Sequence, residues 1–135
     1  MSIVKIRGAL ENHLATMSGA LGISYENAQF TPTVGTAFQV VNLLPATTQN
    51  PSIGAELHRE LGIFQVTLYY PINAGSADCA TMAENIRTRF KRGTTITNSG
   101  VTVMIDSTPS IARGIIDGDR WVVAVSIPYM ANIFI

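Results

Sequence analysis

A chain of 135 residues, 47% of them hydrophobic and only 13% charged, is long enough for one buried core but short of charge for its surface. Nine basic residues balance nine acidic ones at a pI near 6.7, so no global electrostatic footprint marks a nucleic acid or membrane partner. The single cysteine excludes an internal disulfide, and no apolar run approaches the ~20 residues of a membrane-spanning helix.

Ser2 to Leu21 reads as a first helix, with Ile3, Ile6, Leu10, Leu14, Met17 and Leu21 along one face, Ser2 as its cap and Gly22 as its end. Lys5, Arg7, Glu11 and His13 interrupt that face's surroundings, so the segment is not a signal peptide, and the expectation is a protein made in a cytoplasm. Gly8 costs this helix roughly 1 kcal/mol relative to alanine, so packing must hold it. Ile23 to Pro32 reads as an irregular connection anchored by Tyr25 and Phe30. Thr36 to Leu44 is the first strand, with Phe38 and Val40 opposite Gln39 and Val41, closed by Pro45.

Residues 46–61 are polar and turn-rich, broken by Asn50-Pro51 and Gly54, and too long for a tight hairpin loop. They read as a protruding arm between two antiparallel strands. The second strand begins at Gly62, with Phe64, Val66, Leu68 and Tyr70 on one face, and ends at Pro71. Asn73, Ala74 and Gly75 form a turn, and Ser76 occupies the N-cap position of a second helix. Cys79, Ala83, Ile86 and Phe90 make its apolar stripe, Arg87, Arg89, Lys91 and Arg92 crowd its end, and Gly93 stops it.

Thr94 to Thr97 reads as a short strand, followed by a turn at Asn98-Ser99-Gly100 and a strand carrying Val101, Val103 and Ile105. Pro109 breaks the chain, and Asp117-Gly118 is a strong hairpin signal. The return strand, Trp121 to Tyr129, alternates Trp121, Val123, Val125, Ile127 and Tyr129 on one face, with Pro128 marking its fraying end or an edge position. The apolar Ala131 to Ile135 must be buried on the core or on a neighbour. The order predicts an α+β fold: one domain over residues 1–135, a mainly antiparallel sheet, and two helices packed on one face.

Catalytic chemistry is absent from the pattern. His58 sits in Glu56-Leu57-His58-Arg59-Glu60, without the H-E-x-x-H spacing that sets two imidazoles on one helical face. One cysteine and two histidines do not make a structural zinc site. Ser2-Ile3-Val4-Lys5 matches S-x-x-K only formally, and Asp117-Gly118-Asp119 is explained by a turn. Cys79 lies on the apolar stripe and reads as a core residue. Neither cofactor nor metal is expected, nor is enzymatic activity.

Two features remain as interaction candidates. Arg87, Arg89, Lys91 and Arg92 are either a solvated helix end favoured by the macrodipole, or side chains that meet Asp or Glu of an adjacent subunit or face DNA in a channel. In the arm, Glu56, Arg59 and Glu60 offer both signs for pairing between subunits, against the plainer reading of an ordinary loop. A surface poor in charge also fits one partly covered by an oligomeric interface.

The pattern G-x-F-Q-V-x-L-x-x-P, a glycine-bearing turn and a helix ending F-x-x-G is carried by Gly62, Phe64, Gln65, Val66, Leu68, Pro71, Gly75, Phe90 and Gly93. With Val101 to Ile105, Pro109 and the strand Val122 to Tyr129, it resembles the tail terminator (tail completion) proteins of long-tailed phages, over most of the chain from Thr36 onward. The resemblance implies a structural subunit of the virion tail, assembled in the bacterial host cytoplasm, that forms a hexameric ring on the end of the tail tube. That ring would stop tube elongation and dock the head connector, with DNA passing through its channel. Partners would be further copies of the chain, the major tail tube protein and a head completion protein, and no membrane. The family brings no catalytic residues. The alternatives are a head–tail connector or neck protein, and a small module binding nucleic acid through the basic helix end. The last should show affinity that falls steeply with salt.

Overall fold

The backbone of the fold is a pair of long strands whose side chains alternate between a buried and a half-buried set. A computed structural model describes residues 2–17, 19, 21–26, 28, 30–31, 35–49, 57–73 and 75–134. In it, β3 (Leu57–Pro71) and β8 (Arg120–Phe134) run antiparallel without a break, from Leu57 opposite Phe134 to Pro71 opposite Arg120. Phe64, Val66 and Leu68 of β3, and Val123, Val125, Ile127, Tyr129 and Ala131 of β8, are buried, because a period of two sends every second residue to the same side.

The other strands assemble on this pair. On one side lie β2 (Phe38–Pro45), antiparallel to β3, and then β1 (Gly22–Ser24), parallel to β2. On the other, β8 is long enough to serve several partners in turn. The strand β5 (Val101–Ile105) pairs at Tyr129 to Ala131, β6 (Ser110–Ile111) at Val125 and Ser126, and β7 (Ile115–Asp117) at Arg120 to Val122. Beyond β5 lies β4 (Thr95–Asn98), joined to it through Ser99 and Gly100, both at positive φ, as a two-residue hairpin of the primed type requires. The eight-stranded sheet is thus antiparallel apart from β1, and the α+β class holds with strands dominant.

The helix α1 (Ser2–Ala15) contacts β4 and β5, and α2 (Ala77–Arg89) contacts β8, β6 and β3. Ile6, Leu10 and Leu14 from α1 and Cys79, Met82, Ala83, Ile86 and Phe90 from α2 join the strand residues in one hydrophobic cluster. The stripe expected for α2 is the buried one.

Several boundaries differ from the sequence reading. The first helix stops at Ala15 rather than Leu21: the Asn12 carbonyl accepts from both the Thr16 N–H (3.0 Å) and the Thr16 hydroxyl (2.8 Å), and the Met17 N–H then turns to Leu14 O. Ile3 is partly exposed, and Gly22 opens β1 instead of ending a helix. Phe30 does anchor the connection, packing on Phe38 with ring centroids 5.3 Å apart. The second strand begins at Leu57, five residues before Gly62, so 57–61 belongs to the sheet and not to the arm. Gln49 and Arg59 exchange backbone hydrogen bonds and carry the hairpin pairing further out.

Ser76 stands at the N-cap of α2, but its side chain makes no capping bond. The last strand continues through Pro128 to Phe134. Asp106 N donates to Pro128 O (3.2 Å), and β5 has ended at Ile105, so the missing proline donor faces a gap between partners rather than a ladder. Ala131 is buried and Ile133 packs on the core, while Ile135 and the side chain of Phe134 lie outside the described residues.

Gly62 is the one position in β3 where a side chain has no room. A Cβ there would strike Leu44 O and approach the Tyr129 hydroxyl to 2.9 Å. The glycine lets β2 and β3 close around the phenol, which is itself buried.

Candidate functional site

The four basic residues at the end of α2 do not act as one cluster. Arg87 Nη2 donates to Glu84 Oε1 at 3.2 Å, one turn back on the same exposed helix face. Arg89 reaches across to α1, where Nε donates to His13 O and Nη2 to Thr16 Oγ1, each at 3.0 Å. Lys91 and Arg92, beyond the helix, are exposed, and their side chains have no hydrogen bond or ion pair among the described residues. The Gly93 N–H donates to Ile105 O and ties this end to β5.

Of the arm residues, Glu56 lies outside the described residues. Arg59 Nε donates to Asn132 Oδ1 (3.0 Å) across the β3–β8 ladder. Glu60 is half-buried, and its Oε2 has no hydrogen-bond partner among the described residues. Its charge and burial together raise the Tyr129 phenol above the ordinary tyrosine range, burial being the larger cause.

A polar group that the sequence reading missed links α1 to the sheet edge. Glu26 Oε1 accepts from Arg7 Nη1 and from the Leu43 N–H, both at 2.6 Å. The parallel strand β1 ends at Ser24, so the carboxylate takes up a β2 donor that no further β1 carbonyl reaches. The Leu43 bond first, and Arg7 second, hold the Glu26 carboxyl below its ordinary value. Glu11, 3.8 Å from Arg7, is instead raised by burial, which outweighs the attraction of the guanidinium. Spacing alone signals only the Arg7–Glu11 pair.

At the opposite end of α2 from Lys91 and Arg92 the surface is apolar. Ile115 and Ile116 of β7 are 57% and 65% exposed, and all three β7 side chains face out. A cavity of about 240 Å³ lined by Ile72, Asn73, Gly75, Ser76, Ile116 and Trp121 flanks them on one side. A second of about 500 Å³, lined by Arg113, Gly114, Ile115, Ile116 and Trp121, shares Ile116 and Trp121 with it. Gly114 sits directly against the indole, where any side chain would collide. Asp117 and Asp119, both exposed, frame the Gly118 hairpin beside this patch, and their carboxylates have no ion pair among the described residues.

Cys79 is fully buried, and burial pushes its thiol up to about 11, far from the thiolate a nucleophile needs. The His13 ring donates from Nε2 to the Arg89 carbonyl and packs edge-on against Phe90. Among the described residues no group of three or more His, Cys, Asp and Glu could hold a metal ion. No helix among them is long and apolar enough to cross a membrane. What the surface offers is contact: at one end two cations whose side chains have no partner among the described residues, and at the other an apolar edge with two carboxylates.

Residues 5–129 match a family model described as phage tail terminator protein. Seven chains of solved structures match; one has a TM-score of 0.77 and 24% identity, covering 97% of this chain and 96% of its own. That likeness concerns the fold. Among curated proteins none matches.

Proposed function

The chain belongs to the phage tail terminator family, and from that premise we propose that it closes into a hexameric ring on the end of the tail tube. Its place is the virion tail, in a structural role alongside other phage tail or head proteins. In the proposed reading the ring stops elongation of the tube protein, presents a docking face to the head connector or completion protein, and leaves a channel for DNA. Assembly takes place in the host cytoplasm, and the subunit is one domain whose arm between β2 and β3, about 46–56, reaches a neighbour.

The match over residues 5–129 carries this reading. The scarcity of charge, at 13% of residues, and the exposed Ile115 and Ile116 support a surface that is covered in the assembled state. Contacts between subunits fall to Lys91 and Arg92, with Arg87 and Arg89 beside them, to Glu56 of the arm, and to Arg59 and Glu60 at the start of β3. The test is capping. Purified protein added to growing tail tubes should fix their length and appear as a ring at one end. Tubes that lengthen unchecked, with the protein a single protomer throughout, would overturn the proposal.

A further inference from the structure

We infer that the β7 edge at one end of the domain is the seat for the Lys91–Arg92 end of a second copy of this chain. The inference deepens the ring reading above and rests on it. The two surfaces lie at opposite ends of α2, whose 13 residues span about 20 Å at the helical rise per residue. Ser76, at the start of α2, lines the cavity beside Ile116 and Trp121, while Lys91 and Arg92 follow directly on its last turn. A contact that joins opposite ends of one subunit joins different patches on the two copies. It is therefore heterologous, and it makes a ring when its rotation closes.

Complementarity of charge and shape selects the occupant. Asp117 and Asp119 frame the exposed Ile115 and Ile116, and Asp78 stands in the first turn of α2 on the same end; Arg113 is the one cation lining the flanking cavities. At the other end the Lys91 and Arg92 side chains have no partner among the described residues, and Asp106 follows Ile105, which the Gly93 N–H holds against them. The β7 end thus carries three carboxylates against Arg113, with Arg120 buried and turned to Thr36 O and the Phe38 ring, and the other end carries two cations against Asp106, so the majority charges are opposite. The aliphatic stems of lysine and arginine suit the two cavities beside Trp121, with their charged heads left at the aspartates on the rim. Ile115 and Ile116 then lose water over an apolar centre bordered by polar groups, the usual layout of a specific interface.

Charge reversal tests this with the full chain. Asp117→Lys with Asp119→Lys, and separately Lys91→Glu with Arg92→Glu, should each weaken self-association at least tenfold, read by sedimentation. All four together should regain most of the lost mass. Ile116→Glu, at a site two-thirds exposed, should also dissociate the assembly while leaving the melting temperature within a few degrees. Variants that assemble like the unaltered chain, or a four-fold variant that stays dissociated while folded, would overturn this interface and leave the ring reading standing. An unaltered chain that remains one protomer at every concentration and on tube ends would overturn both.

Discussion

His13 and Arg89 bond to each other's backbone. His13 Nε2 lies 2.9 Å from Arg89 O, and Arg89 Nε donates to His13 O at 3.0 Å, so the last turns of the two helices are latched by a reciprocal pair. The Phe90 ring stands edge-on to the imidazole, centroids 4.9 Å apart, and closes the latch over the core. Because a carbonyl can only accept, Nε2 carries the proton. Burial first, and the nearby guanidinium, lower the His13 pKa, although the bond to the Arg89 carbonyl acts the other way.

A histidine whose folded pKa is depressed binds its proton more readily when unfolded. Stability is therefore full above the ordinary value of 6.5 and declines as pH falls through the folded pKa. Glu26, with its lowered pKa, acts in the same direction but only below the ordinary carboxyl value of 4.5. Glu11, raised, acts oppositely and relieves a penalty as it protonates. Melting temperature should consequently drop between pH 7.5 and 5.5, and His13→Gln should flatten the drop. An unchanged slope in that variant would assign the effect to another group.

Arg89 and its neighbours should separate cleanly by experiment. Removing Arg89 takes away two bonds from a charged donor, so Arg89→Met should cost about 1–2 kcal/mol of folding stability, allowing for its partial exposure. Lys91→Ala and Arg92→Ala should change stability by less than about 0.5 kcal/mol, as exposed positions without partners do. Urea unfolding of the three variants decides this. Equal losses would mean that the helix end acts as one unit.

That separation shows where the sequence is legible and where it is not. The stripe Cys79, Ala83, Ile86 and Phe90, and the alternation of Phe64, Val66 and Leu68 with Tyr70 beside them, follow from periodicity alone; all but the partly buried Tyr70 belong to the buried core. The role of Arg89 does not, because its partners are 73 and 76 residues away in the chain. Glu26 is hidden for the same reason: its bond to Leu43 depends on where β1 runs out. Pro128 and the polar 57–61 segment misled the strand ends, since a proline at a gap between partners and a charged edge both look like termination. Ile115 and Ile116 stand beside a hairpin signal, yet nothing local says that both face outward.

Gly62 offers a direct check on how closely β2, β3 and β8 are packed. Gly62→Ala places a methyl group against Leu44 O, a backbone atom that cannot swing aside as a side chain would. The resulting overpacking should cost about 1–3 kcal/mol and disturb Tyr129. Chemical denaturation gives the first quantity and tyrosine fluorescence the second. Wild-type stability in this variant would mean that the hairpin opens there without loss.

The Glu26 carboxylate should protect one amide above all others. Its Oε1 accepts from Leu43 N at 2.6 Å on the side of β2 where β1 has already ended, so this donor has no strand carbonyl to fall back on. Glu26→Gln keeps an acceptor but loses the charge, and Glu26→Ala loses both. Hydrogen exchange at Leu43 should accelerate modestly in the first and strongly in the second. Global stability should fall by about 1 kcal/mol in the alanine variant, the range for a partly exposed charge-assisted bond. Arg7→Ala removes the other partner, 2.6 Å away, and should speed exchange less than Glu26→Ala, since the carboxylate that bonds the amide remains. If Arg7→Ala instead matched Glu26→Ala, the ion pair would be holding the 22–26 segment in place, and the Leu43 bond would be its consequence.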